Sequence, residues 1–188
     1  MKPVLLIIFL SFFSQLSQAQ CVLGNCENGF GKWQYSDGVY EGSFVNGKRN
    51  GHGIFTSRDN TKYVGNFMND YFNGKGIFIS REYTYEGDFI KGTKTGWCKI
   101  QFESGTYYEG SILNSQLTGF GTIYNPNGDK YVGTLKNGFY DKFGIIYYAD
   151  GSQFRGQFKD GLKNGPGVNI SKTGEQQPGF WVNDKPAQ

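Results

Sequence analysis

Apolar and polar residues alternate in short stretches along this chain, and the same stretch recurs every 22 to 23 residues. Each copy starts with an aromatic residue, has glycine two positions later and a bulky apolar residue two positions after that. The leading aromatics are Tyr40, Tyr63, Tyr85, Tyr108, Tyr131 and Phe154. Alternation with period two is typical of a β-strand whose first, third and fifth side chains share one face. A fixed repeat of this length predicts an array of similar structural units.

Glycine-rich turns separate the alternating stretches. Counted from the leading aromatic, position 8 is glycine in most units, with Asp70 and Ser115 as the exceptions. Positions 12 and 14 carry a second glycine pair, such as Gly51 and Gly53, before a β-branched or aromatic stretch. Glycine adopts positive φ without strain, so these positions indicate tight turns and close backbone approach. Each unit is therefore predicted to be two short strands joined by turns.

The predicted fold class is all-β, because no stretch after residue 19 has a sustained helical period. Six tandem units are predicted over residues 40–176, with an N-terminal cap and partial unit at 20–39 and a half-unit with a tail at 177–188. At ~4.8 Å per strand, seven units would form a ribbon roughly 65 Å long. Aromatic residues make up 18% of the chain and are expected to supply most of the buried surface.

The motif Tyr-x-Gly-x-Phe-x-x-Gly-x-x-x-Gly-x-Gly, which residues 40–53 contain, resembles the MORN (membrane occupation and recognition nexus) repeat. The resemblance covers about residues 24–184, and six copies in register make it specific. It implies a row of β-hairpins that forms an elongated, curved single sheet, in agreement with the residue pattern.

Residues 1–19 differ from the repeats. Lys2 precedes an apolar run over residues 4–13, and Ser17 and Ala19 then occupy the positions required before a cleavage site. This pattern predicts a secretory signal peptide, hence a secreted, periplasmic or cell-envelope protein, and its short length favours a bacterial origin. An uncleaved membrane anchor and a lipid attached at Cys21 are the alternatives.

The chain has three cysteines. Export permits disulfides, and Cys21 and Cys26 flank a short loop before the first unit, so they form a candidate disulfide. Cys98 occupies position 14, where other units carry glycine, and is expected to be a small buried residue. The cysteine spacing does not match a metal site, so no metal ligand is predicted.

The charged residues predict neither nucleic-acid binding nor catalysis. The 19 basic and 16 acidic residues are mixed along the chain, with a net charge of +3 and no basic stripe. A single histidine, His52, leaves little room for a nucleophile with its base. Glu86 and Glu109 occupy position 2, about 10 Å apart on the face opposite the tyrosines, where solvation explains them. We therefore predict no enzyme activity, catalytic residue or cofactor.

Binding remains as the function, in two forms. The first is a scaffold or adaptor that presents a long surface to a protein partner or to a second copy of itself. The alternative is a peripheral module that binds lipid head groups or the cell envelope, with candidate contacts at Lys48, Arg49, Lys91 and Lys94 near the first turns. Glycan binding by exposed tyrosines is a third hypothesis.

Overall fold

Residues 19–187, which the computed structural model describes, form one antiparallel sheet of sixteen strands in chain order. The predicted all-β, elongated single-layer array is confirmed. The predicted signal peptide lies outside the described residues except for Ala19. The strands are β1 Gln20–Gly24, β2 Gly29–Gln34, β3 Gly38–Val45, β4 Lys48–Ser57, β5 Lys62–Met68, β6 Tyr71–Ile79, β7 Tyr83–Ile90, β8 Thr93–Phe102, β9 Tyr107–Leu113, β10 Gln116–Tyr124, β11 Lys130–Lys136, β12 Phe139–Tyr147, β13 Gln153–Lys159, β14 Leu162–Ile170, β15 Gln176–Val182 and β16 Lys185–Pro186.

No helix among residues 19–187 is long and apolar enough to cross a membrane.

The first turn of each unit has two successive residues in the left-handed region. Asn46 and Gly47 have φ of 49° and 68°, which are typical of the two-residue turn that matches strand twist. Asp70 and Ser115 keep this conformation, with φ of 72° and 62°, although they replace glycine. The turn geometry is therefore maintained in the units that depart from the sequence pattern.

A row of glycines crosses the sheet at right angles to the strands, because the register aligns positions 3 and 14 of successive units. We call it the glycine row. Its members are Gly31, Gly42, Gly53, Gly65, Gly76, Gly87, Gly110, Gly121, Gly133, Gly144, Gly156, Gly167 and Gly179, with Cys98 between Gly87 and Gly110.

The leading aromatics lie directly on the glycine row. A Cβ added at Gly76 would overlap the ring and the hydroxyl of Tyr63, which is 1% exposed. The hydroxyl of Tyr63 donates a hydrogen bond to the carbonyl of Asn66 at 2.9 Å, and the other four leading tyrosines make the equivalent bond. The side that carries these rings is called the tyrosine face.

The tyrosine face forms a hydrophobic core without a second layer. The ring of Tyr40 meets Phe44 of its own unit and Phe67 of the next unit edge-on, at centroid distances of 5.1 and 4.8 Å. The side chain at position 10 packs on the outer side of the leading ring. Phe72 stacks on Tyr63 at 3.8 Å. Rings from adjacent units thus bury one another, as expected for a repeat array.

The buried phenols predict alkaline unfolding. Burial raises the pKa of Tyr40 and Tyr63 to about 12, and it also raises those of the three other leading tyrosines. A free tyrosine has a pKa of about 10. Because the folded state favours the neutral phenol, the buried tyrosines contribute their full stabilisation below about pH 10. This contribution is lost as the pH rises towards 12.

We expect tyrosinate absorbance and far-ultraviolet circular dichroism to change together between those pH values. Titration of every tyrosine near pH 10 with the sheet intact would contradict the burial of these hydroxyls.

Candidate interaction surface

The face opposite the tyrosines has no covering layer in the described part of the chain, and we call it the open face. It carries the side chains at positions 2, 4, 6, 9, 13 and 15, on both sides of the glycine row. Position 15 supplies a β-branched ridge in many units, with Ile54 and Ile77 each 38% exposed. The open face is therefore a flat surface with apolar side chains, a composition that is common at interaction sites.

Aromatic side chains at position 13 form the most prominent feature of the open face. Trp97, Phe120 and Phe143 lie on alternate strands β8, β10 and β12 and are 53%, 55% and 59% exposed. We call these three residues the aromatic row. Phe30 and Phe180 occupy the same line near the two ends of the sheet and are also exposed. Exposed aromatic side chains on rigid strands are typical of binding anchors.

A shallow groove of about 350 Å³ follows the glycine row on the open face. Its walls include His52, Lys75, Glu86 and Trp97, and its floor is formed by Gly65, Gly76 and Gly87. Positions 3 and 14 face the tyrosine side, so on the open face the floor is backbone between two ridges of side chains. The groove suits an extended ligand that lies across the strands.

Charges are distributed unevenly on the open face. Two ion pairs lie in the N-terminal half, where Lys32 contacts Glu41 at 3.3 Å and Lys75 contacts Asp88 at 3.8 Å, although Lys48 and Lys99 make none with any described residue. In the C-terminal half, Lys136, Arg155 and Lys159 make no ion pair with any described residue. This half presents cations beside aromatic rings.

The structure does not bring Lys48, Arg49, Lys91 and Lys94 together on one surface. Lys48 lies on the open face and Lys91 lies in a turn, and both are exposed. Arg49 and Lys94 are at position 10 on the tyrosine face. The Arg49 guanidinium carbon is 5.3 Å from the Phe55 centroid, and the Lys94 ammonium is 4.5 Å from the Phe78 centroid. These two cations therefore cover core rings.

Asp70 links two adjacent units. Its carboxylate accepts hydrogen bonds from the Arg49 backbone N–H at 3.0 Å and the Arg49 Nε at 3.3 Å. Ser115 and Asp184 accept equivalent bonds from the backbone N–H groups of Lys94 and Lys163. In each case a polar residue at position 8 faces a cation at position 10 of the preceding unit. The apparent exceptions to the glycine pattern are thus contacts between units.

We expect Asp70→Ala to lower the free energy of unfolding by about 1–2 kcal/mol more than Asp160→Ala, since it removes a hydrogen-bonded ion pair. Asp160 is a matched control, because it also has a left-handed backbone, with φ of 51°. Urea unfolding of both variants measures the difference. Equal losses would mean that the Asp70 contacts contribute nothing.

The candidate disulfide residues are bonded in the structure, where Cys21 Sγ and Cys26 Sγ are 2.05 Å apart. The bridge joins the edge strand β1 to the loop before β2. Cys98 is a free thiol and is buried on the tyrosine face.

Cys98 changes the local pairing of its unit. In the other full units the two glycines of a hairpin pair directly, as Gly65 does with Gly76. Every such hairpin has a register shift beyond position 3, but in β7 and β8 the shift begins one residue earlier, after Glu86, and Gly87 does not pair with Cys98. A Cβ at position 14 crowds the space beneath the ring of Tyr85, which explains the missing pair.

Burial raises the pKa of the Cys98 thiol to about 12, although Lys94 opposes this. Because the thiolate is the reactive form, we expect iodoacetamide to modify Cys98 slowly at neutral pH and rapidly in denaturant. The control is Trp97→Cys combined with Cys98→Ala, which places the thiol on the open face. Mass spectrometry should show fast modification of the control; equal rates in the two proteins would contradict the burial of Cys98.

The open-face carboxylates are interleaved with a cation. Lys99 pairs in register with both Glu86 and Glu109, so it lies between them. His52 is exposed on β4. Among residues 19–187, no cluster of three or more histidine, cysteine or acidic side chains has a metal-binding arrangement. This geometry supports solvated charges on a binding surface.

The family model of the MORN repeat matches residues 40–62, 63–83, 108–130, 131–153 and 154–175, together more than half of the chain. The chain belongs to the MORN repeat family. The segment between residues 83 and 108 is not matched, and it contains the unit in which Cys98 replaces a glycine and does not pair with Gly87.

Two solved structures match over most of this chain, and the first of them has a similar fold. One is the TCP domain of SAS-4 (dCPAP) from Drosophila melanogaster, solved in complex with a proline-rich motif of Ana2 (dSTIL). It has a TM-score of 0.55 and 12% identity, and the match covers 96% of each chain. The other is the TCP10 domain of Danio rerio CPAP with a peptide of STIL, with a TM-score of 0.26 and 15% identity, over 87% of this chain and 94% of that one. No curated protein matches the sequence at a significant level.

The aromatic row was not identified from the sequence. Position 13 lies between the two glycines of the MORN pattern and varies among units, so it gives no repeated signal. The available clue was an aromatic residue at position 13 in three successive units, namely Trp97, Phe120 and Phe143. Aromatic residues at positions 1 and 5 of this repeat are buried, whereas Tyr71 and Phe139 at position 9 are exposed, and composition alone does not separate the two groups.

Proposed function

We propose that this MORN repeat protein is a non-catalytic scaffold that presents its open face to an extended segment of a protein partner in an extracytoplasmic compartment. The observation that carries the proposal is the aromatic row on a rigid sheet, with each ring more than half exposed. Aromatic residues of this kind dominate the binding energy of protein interfaces.

The shape of the surface supports an extended partner. The groove is shallow and runs across many strands, so that its glycine floor accepts a narrow chain more readily than a globular domain. The Drosophila TCP domain, which has a similar fold, binds a proline-rich motif. We propose that the partner of this chain is likewise a peptide segment.

The compartment is proposed from two observations. Residues 1–19 have the pattern of a secretory signal peptide. The disulfide between Cys21 and Cys26 is of a type that persists outside the reducing cytosol.

The test is a selection of random displayed peptides against the chain from Gln20 onward. We expect enriched peptides whose affinity falls at least about tenfold in the Phe120→Ser/Phe143→Ser variant, since both anchors are removed. Phe30→Ser is the matched control, because Phe30 is equally exposed at the far end of the sheet, and should bind normally.

The lipid alternative is tested in parallel by co-sedimentation with phosphatidylserine vesicles. Absence of peptide enrichment, together with sedimentation that weakens as salt rises and in Lys48→Ala/Lys91→Ala, would replace the scaffold with a head-group-binding module.

A further inference from the structure

We infer that the aromatic row binds an acidic, proline-rich segment in the polyproline II conformation. This inference rests on the proposed function and assigns the chemistry of the partner. Trp97, Phe120 and Phe143 supply the apolar contacts, and the unpaired cations of the C-terminal half select for acidic residues.

The spacing of the rings fits this helix. Successive members of the row are two strands apart, about 9.6 Å at the usual strand spacing. A polyproline II helix has three residues per turn and a rise of 3.1 Å, so it repeats every ~9.3 Å. A peptide that lies along the row can therefore place one proline of each turn on each ring. About six residues span the row from Trp97 to Phe143.

The groove on β4 to β8 ends at Trp97, and the glycine row that forms its floor continues beside the rings of Phe120 and Phe143. On strands β10 to β12 the floor is Gly121, Gly133 and Gly144. The far wall is the β-branched ridge of Thr122, Val132 and Ile145, which pair in register. One side of the peptide would pack on rings and the other on this ridge. A preformed polyproline II helix loses little conformational entropy when it binds to such a surface.

Hydrogen-bond donors lie between the rings. The side chains of Ser111 and Thr134 share the line of the aromatic row, and the Trp97 indole is at its start. None of these three groups makes a side-chain hydrogen bond with another described residue. The carbonyl groups of polyproline II have no internal partners, so they can accept bonds from these donors.

The charges favour an acidic sequence. Lys136 and Lys159 are at position 6. Each is the next open-face residue of its strand after position 4, which Thr134 and Gln157 occupy. Arg155 is at position 2, where its guanidinium binds Gln153 Oε1 at 2.9 Å. Asp141 and Asp160 are nearby, in a bulge and in a turn, and neither pairs with these cations. Carboxylates of the peptide would provide the missing partners and accelerate its association.

The direct test uses synthetic peptides of repeating Pro-Pro-Glu, about nine residues long, which span the row with a turn to spare. Isothermal titration calorimetry measures binding to the chain from Gln20 onward. A Pro-Pro-Lys repeat reverses the charge, and a Gly-Gly-Glu repeat keeps the charge but not the helix. We expect both controls to bind at least about tenfold more weakly than Pro-Pro-Glu.

Protein variants test the location. Phe120→Ser and Phe143→Ser should each weaken Pro-Pro-Glu at least about tenfold, while Phe180→Ser, also exposed but outside the row, should not. Lys136→Glu/Lys159→Glu should remove the preference for Pro-Pro-Glu over Pro-Pro-Lys. These are surface changes, and circular dichroism verifies that each variant is folded.

The outcomes separate the two proposals. Equal binding of Pro-Pro-Glu and Pro-Pro-Lys, or an equal loss in Phe180→Ser, would overturn the inference. Failure of Pro-Pro-Glu while displayed peptides of another composition bind the open face would overturn the inference and leave the scaffold intact. Binding to phosphatidylserine vesicles through Lys136 and Lys159, with no peptide binding, would overturn both.

Discussion

Replacing Tyr63 with alanine is expected to lower the free energy of unfolding by about 3–5 kcal/mol, the usual cost of removing a large buried aromatic side chain. The Tyr63 ring is 1% exposed and contacts Phe67, Phe72 and Phe89, of which the last belongs to the next unit. Its loss leaves a cavity that the sheet cannot close, because the glycines beneath it have no side chains. Urea unfolding followed by circular dichroism measures the change.

Two control variants test whether the loss of stability comes from the buried ring of Tyr63 rather than from the removal of any tyrosine. Tyr71→Ala removes a tyrosine that is 56% exposed on the neighbouring strand and should change stability little. Tyr63→Phe keeps the ring but removes the hydrogen bond to the Asn66 carbonyl, and we expect a loss of about 1 kcal/mol. A similar loss in Tyr63→Ala and Tyr71→Ala would mean that the tyrosine face is not the core.

Gly76→Ala should destabilise the sheet by about 1–3 kcal/mol, as overpacking does. The added Cβ would overlap the Tyr63 ring, which has no space to move because Phe72 stacks on its outer side. The backbone of Gly76 has no positive φ, so the effect isolates the contact from conformational strain.

Gly179→Ala is the matched control, since its added Cβ would meet only the edge of Trp181, at 3.0 Å. A second check combines Gly76→Ala with Tyr63→Ala. Because the ring that causes the overlap is absent, the glycine change should then cost much less than in the wild-type background. Additive losses would show that the ring does not lie on Gly76.

The pattern of apolar residues was sufficient to predict the sheet. Aromatic, glycine and apolar residues at positions 1, 3 and 5 required a strand with one packed face, and their repetition required an array. These features depend on local sequence, which explains why they could be predicted.

Contacts between units were beyond sequence reasoning. The sequence places Arg49 and Lys94 near turns, where they are candidate contacts for a lipid or a partner. In the structure, the side chains at position 10 lie over the leading ring of their own unit. Asp70 was seen as a missing glycine, but it binds Arg49, 21 positions earlier. Such pairs become visible once the register of the sheet is known.

The open face was also undetermined by the sequence. Phe120 and Phe143 resemble the buried aromatics in composition, and their exposure follows from alternation with Gly121 and Gly144, which lie on the tyrosine face. The face of position 13 became clear once the pairing of positions 3 and 14 was known.

The central claim, that a peptide partner binds the open face, is tested most directly by the fluorescence of Trp97. Of the three tryptophans, it is the one more than half exposed, whereas Trp33 and Trp181 lie on the tyrosine face. On addition of a peptide enriched by display, we expect its emission to shift to shorter wavelength and its quenching by acrylamide to fall, with both changes absent in Trp97→Phe. Calorimetric binding of the same peptide with no change at Trp97 would contradict the claim.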